Sequence, residues 1–102
     1  MNTKTGQTVY EDIMSLDMNN LPVSSTTFDA IAILNGVKNS GVTINMSLVD
    51  AERGIFSASW SASTIGNYQI YIKNIGTNSI FISNLVNVRP DSEFDQTIYI
   101  GL

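Results

Sequence analysis

The sequence predicts an all-β protein, a sandwich of about seven short antiparallel strands. Three observations carry that expectation. Apolar and polar residues alternate with period two in four separate windows. Turn-forming Gly, Asn, Asp and Pro interrupt the chain between those windows. Charged residues make up only 14% of the chain, against a usual share of about 25%. Ser, Thr and Asn supply the polarity instead, and these suit strand faces and turns better than helix interiors.

Strands are expected at 8–17, 27–35, 42–49, 55–61, 67–74, 79–88 and 94–101. In the first, Val9, Glu11, Ile13 and Ser15 fit an edge strand, and "NNLP" at 19–22 closes it. An amphipathic helix with Val9, Ile13 and Leu16 on one face is the alternative there. The second strand is apolar on both faces, which leaves Ile31 and Ile33 as candidate contact residues. Such a strand either runs centrally under a loop or meets a partner. "NGV" at 35–37 and "NSG" at 39–41 bracket the next turn. Val42, Ile44, Met46 and Leu48 then alternate with Thr43, Asn45, Ser47 and Val49. "DAERG" at 50–54 follows, with Gly54 free to take a positive φ.

Phe56, Ala58 and Trp60 alternate with Ser57, Ser59 and Ser61. A serine face is wet, so Trp60 is expected in the core rather than as a platform for a sugar ring. "SASTI" at 61–65 reads as a cross-over to the next strand, where Tyr68, Ile70 and Ile72 alternate with Gln69, Tyr71 and Lys73. Tyr68 is placed either to bond its hydroxyl back to upstream backbone at a corner, or simply to fill the core with its hydroxyl at the rim. "NIGTN" at 74–78 and "RPDSE" at 89–93 flank the strand 79–88. In the last window Phe94, Gln96, Ile98 and Ile100 alternate with Asp95, Thr97 and Tyr99.

A single domain over residues 1–102 with this strand rhythm is the size of an immunoglobulin-like β-sandwich. A Greek-key barrel is the alternative. The text from Asp50 to Pro90 resembles the second half of filamin-type Ig-like repeats at Asp50, Gly54, Phe56, Trp60, Gly66, Tyr68, Ile70, Ile72, Phe81, Val86 and Val88. Two departures stand out. Ile82-Ser83-Asn84 occupies the place of the proline-bearing tripeptide, and residues 94–101 continue past the point where a filamin repeat ends. A filamin-like partner groove is therefore not carried over. The stretch "NNLPVSSTTFDAIAILNGV" and the closing "TIYIGL" resemble Ig-like modules of tailed-bacteriophage virion proteins.

Composition excludes several activities. With no Cys and no His, the usual zinc ligands and the Ser-His-Asp and Cys-His pairings are missing. Five basic residues, Lys4, Lys38, Arg53, Lys73 and Arg89, are scattered in a chain of net charge -4. That spacing disfavours nucleic acid and anionic membranes as partners. Glu11 and Asp12 are adjacent, so in a strand they point to opposite faces and cannot act as a glycosidase pair. Asp91, Glu93 and Asp95 share one side of an extended chain and are weak calcium candidates. The bland alternative is a solvated, strand-breaking connection. Tyr71 and Tyr99 are the candidate surface tyrosines, and Ile98 and Ile100 lie on an edge able to add to a neighbour.

The expectation is a protein without cofactor or catalytic activity. The phage resemblance implies a virion structural component, a capsid decoration, neck or tail accessory. It would act by surface display and by contacts with other virion proteins or with its own copies. Assembly in the host cytoplasm is expected, since the N-terminus lacks the apolar stretch of a signal peptide. A carbohydrate-binding module for host-surface glycans, or a cell-surface adhesin, is the alternative.

Overall fold

The computed structural model describes residues 2–90. Among them are nine strands and no helix: β1 (Asn2–Lys4), β2 (Val9–Met14), β3 (Phe28–Leu34), β4 (Val37–Asn39), β5 (Asn45–Asp50), β6 (Ile55–Trp60), β7 (Gly66–Asn74), β8 (Ile80–Ile82) and β9 (Val86–Arg89). One sheet runs in the order β1-β9-β7-β3-β4, with β8 also paired to β7. The other runs β2-β6-β5. The chain moves between the sheets after β1, β2, β4 and β6, which is the connectivity of an immunoglobulin-like sandwich.

Alternation places the core between the two sheets. Val9, Ile13, Ala58 and Trp60 come from the three-stranded sheet; Ala32, Tyr68, Ile70, Ile72, Val86 and Val88 come from the other. Two aromatic pairs bridge the layers: Phe28 meets Phe56 edge-on at 4.8 Å, and Trp60 tilts against Tyr68 at 5.4 Å. Trp60 is 2% exposed, so it fills the core as expected. The opposite face of β6 is drier than a serine face suggests. Ser57 and Ser59 are half-buried, because β6 is flanked by β2 on one side and β5 on the other.

The structure departs from the sequence expectation at four places. The stretch 8–17 is a strand and not a helix, but β2 stops at Met14, beyond which Leu16 bridges only to Pro22. The strand expected at 42–49 starts at Asn45, and a register shift between Leu48 and Asp50 leaves Leu48 and Val49 exposed. The strand expected at 79–88 is broken into β8 and β9, one residue out of step with each other against β7. Ser83 fills the break. Its backbone N–H donates to the Ile70 carbonyl at 2.9 Å, and its hydroxyl accepts the Ile70 N–H at 2.9 Å. Finally, β1 and β4 are additions. β1 lies parallel to β9, and β4 follows a two-residue hairpin at Asn35-Gly36, both with positive φ (50° and 84°). The strand expected at 94–101 lies outside the described residues.

Tyr68 makes the corner. Its hydroxyl donates to the Thr64 carbonyl at 2.7 Å, four residues upstream, just after the cross-over between the sheets. Burial pushes the phenol above its usual pKa of 10.0. Ionisation is thus harder in the folded chain than in the unfolded one. The resulting stabilisation is complete below about pH 10 and is lost as pH climbs through the raised folded value. Tyr68→Phe is expected to lose about 1 kcal/mol at neutral pH with the hydrogen bond. It should also show a flatter fall of stability in alkali. Denaturant titrations from neutral to strongly alkaline pH check both, and an unchanged alkaline slope would contradict this role.

Candidate functional site

The outer face of the larger sheet carries an ordered set of side chains. Strand register aligns them in cross-strand rows. Ile31 of β3 faces Tyr71 of β7, which faces Ile82 of β8. One row further, Asp29 faces Lys73, which faces Ile80. On the other side Lys38 of β4 faces Ile33, which faces Gln69. An apolar stripe therefore crosses three strands and is flanked by two lysines. Ile31 and Ile33 are half-buried rather than fully exposed. Tyr71 is 38% exposed, while Ile80 and Ile82 are 64% and 50% exposed. Neither Lys38 nor Lys73 forms an ion pair among the described residues.

Beside this face the sheet is half open. β4 pairs only with Ala32, Ile33 and Leu34, so Phe28–Ile31 have no strand on that side among the described residues. Alternate residues of such an edge turn an N–H and a C=O outward. A cavity of about 400 Å³ lies along this edge, with Ala30, Ala32, Val42 and Ile72 in its lining and Asp29, Lys38 and Lys73 as its charged groups. Residues 40–44 carry the chain from β4 to β5, the edge strand of the other sheet, so both sheets present an edge on this flank. The arrangement offers main-chain hydrogen bonds and an apolar floor to an extended segment, with Asp29 the charged side chain on the open stretch itself.

The other candidates fall elsewhere. Asp50 is engaged locally: its carboxylate accepts from the backbone of Glu52 and Arg53 and pairs with the Arg53 guanidinium at 2.7 Å. The Arg53 hydrogen bond holds the Asp50 carboxyl below its usual pKa. Asp91, Glu93, Asp95, Ile98, Tyr99 and Ile100 lie outside the described residues. The structure places Ile31, Ile33 and Tyr71, which the sequence reading named, on one face with Ile80 and Ile82, which it did not name. The signal was present, since "IFI" at 80–82 is apolar on both faces, as 27–35 is. The open half of β3 was not readable, because it depends on where β4 ends.

No protein-family model matches the chain, and no curated protein matches it. Among solved structures, the crystal structure of the Lin-41 filamin domain is similar, with a TM-score of 0.63 and 20% sequence identity. That likeness covers 86% of this chain and 82% of that one. At this identity it shows the fold alone: the chain is an Ig-like β-sandwich, similar in fold to that domain.

Proposed function

We propose that the chain is a non-enzymatic structural module that works through protein–protein contacts. The half-open β3 edge and the apolar face beside it form the contact surface. The observation that supports this reading most is that Phe28–Ile31, paired with β7 on one side, have no strand on the other among the described residues, where a cavity runs along them. Edges of this kind are usually blunted or covered, and one left open beside apolar side chains suits strand addition. The resemblance of residues 19–37 and 97–102 to phage virion modules supports a setting on a capsid, neck or tail lattice.

The experiment compares wild type with Ile31→Asp in purified virus particles by quantitative mass spectrometry. Ile31 is half-buried on the outer face, so the variant is expected to stay folded by thermal melting. Loss of one well-packed apolar contact and burial of a charge should lower incorporation about tenfold or more. Equal incorporation would overturn the contact surface. Absence of the wild-type chain from particles would overturn the virion setting.

A further inference from the structure

We propose that the outer face of the larger sheet holds a second site, around Asn67, that binds an uncharged glycan through carboxamide side chains. It lies at the opposite end of β7 from the open stretch of β3, and it goes beyond the contact surface proposed there.

Register assembles the site. Asn2 of β1 faces Asn87 of β9, and Asn87 faces Asn67 of β7. Asn35, just past the end of β3, comes next, and its backbone N–H donates to the Asn67 carbonyl at 2.8 Å. These asparagines form one row from β1 to the end of β3, spaced about 4.8 Å apart. Val86, Val88 and Tyr68 are buried, so alternation turns Asn87 and Asn67 to the outer face. Gln69 follows Asn67 on that face, opposite Ile33. A cavity of about 440 Å³ opens here, lined by Ile33, Asn35, Gly36, Asn67, Gln69 and Leu85. Small-molecule sites commonly measure about 300–1,000 Å³.

The lining selects the ligand. Asn35 Oδ1 accepts the Asn67 backbone N–H at 2.9 Å, which leaves Nδ2 as the group Asn35 can donate. Gly66 makes room for that carboxamide, since a Cβ there would meet Nδ2 at 3.0 Å. Gln69 Nε2 donates to the Ser83 carbonyl at 3.1 Å, which leaves Oε1 to accept. Among the described residues the Asn67 carboxamide forms no hydrogen bond, so it offers both a donor and an acceptor. Hydroxyl groups donate and accept alike, and neighbouring hydroxyls on a sugar ring suit such a mixed set. Ile33 and the 59% exposed Leu85 supply apolar sides for the C–H faces of the ring. No charged side chain lines the cavity among the described residues, so a phosphate or carboxylate finds no counter-charge. An added peptide strand is disfavoured too, because Asn35 already takes both the N–H and the C=O of Asn67. Tyr71 stands on the same face two residues past Gln69, about 14 Å from Asn67 along β7. Its ring can carry a further sugar unit.

A glycan array probed with the full 102-residue chain tests this. Neutral hexose and N-acetylhexosamine oligomers should retain the chain, and polygalacturonate and heparin fragments should not. Calorimetric titration with the best-retained neutral oligomer then compares variants. Asn67→Ala should weaken binding about tenfold or more, the loss of one or two well-made hydrogen bonds. Its melting temperature should match wild type, because the carboxamide bonds nothing within the fold. Tyr10→Ala, 68% exposed on the other sheet, should leave binding unchanged. An array on which no neutral oligomer is retained overturns the proposal. So does a preference for the acidic fragments, or an Asn67→Ala chain that binds as wild type does. If no glycan is retained yet Ile31→Asp still lowers incorporation into particles, only the glycan site falls and the contact surface stands.

Discussion

Trp60→Ala is expected to be the most destabilising single change, removing about 3–5 kcal/mol of folding stability. Trp60 is 2% exposed at the meeting point of both sheets, opposite Val9 in the β2–β6 ladder and against the Tyr68 ring. Truncating a buried Trp removes its transfer free energy and leaves a cavity, about 3–5 kcal/mol in all. Domains of this size are stable by only about 5–15 kcal/mol. The indole N–H adds a second, opposing effect. Among the described residues it is a buried side-chain polar atom without a hydrogen-bond partner, and such a group costs roughly 1–3 kcal/mol. Trp60→Phe removes that unsatisfied donor while keeping most of the apolar bulk. It should therefore cost far less than Trp60→Ala, about 1 kcal/mol or less. Equilibrium unfolding of the three chains decides this, and a phenylalanine variant as unstable as the alanine one would contradict it.

Asn74→Ala should be the second most damaging change. Asn74 is 3% exposed at the end of β7 and ties the two sheets together. Its amide donates to the Ser15 hydroxyl, 2.8 Å away on the far side of the core. Its side-chain carbonyl accepts from the Thr26 hydroxyl and from the backbone N–H groups of Gly76 and Thr77 at 3.1 and 3.3 Å. Alanine strips four donors and acceptors of one partner, and Ser15 is fully buried with no access to water. A loss of about 2–4 kcal/mol is expected. Ser15→Ala in the Asn74→Ala background should recover part of it by removing the stranded hydroxyl. A double variant less stable than Asn74→Ala alone would contradict the coupling.

Asn74 also shows what the sequence hid. It stands in "NIGTN", which reads as a turn, and nothing in the text announces a buried cross-sheet bond to a residue 59 positions away. The strands that alternate cleanly were legible: β6 and β7 follow their period-two text because each buries one face along its whole length. β3 was legible as apolar on both sides, and the outer half of that pattern is the Ile31–Ile33 stripe of the candidate site. The split between β8 and β9 was not legible, because Ile80 to Val88 keeps apolar residues on both sides of the break. Only the Ser83 side chain, standing in for a ladder acceptor, marks it. β1 could not be found from "NTK", since three mostly polar residues become a strand only through the parallel partner β9 supplies. β4 had its signal in Asn35-Gly36, yet its length sets which part of β3 stays open, and length is fixed by where residues 40–44 must cross to the other sheet.

The contact surface rests on one observation, that the β4 side of Phe28–Ile31 carries no strand among the described residues. Amide hydrogen exchange measures it directly, in the free chain at high dilution and in the chain bound within particles. In the free chain the outward-facing amides of Phe28–Ile31 should exchange fast while Ile70 and Ile72, inside the sheet, exchange slowly. In the bound chain those edge amides should become protected by at least about tenfold. Edge amides already protected at high dilution, or unchanged on binding, would contradict the account.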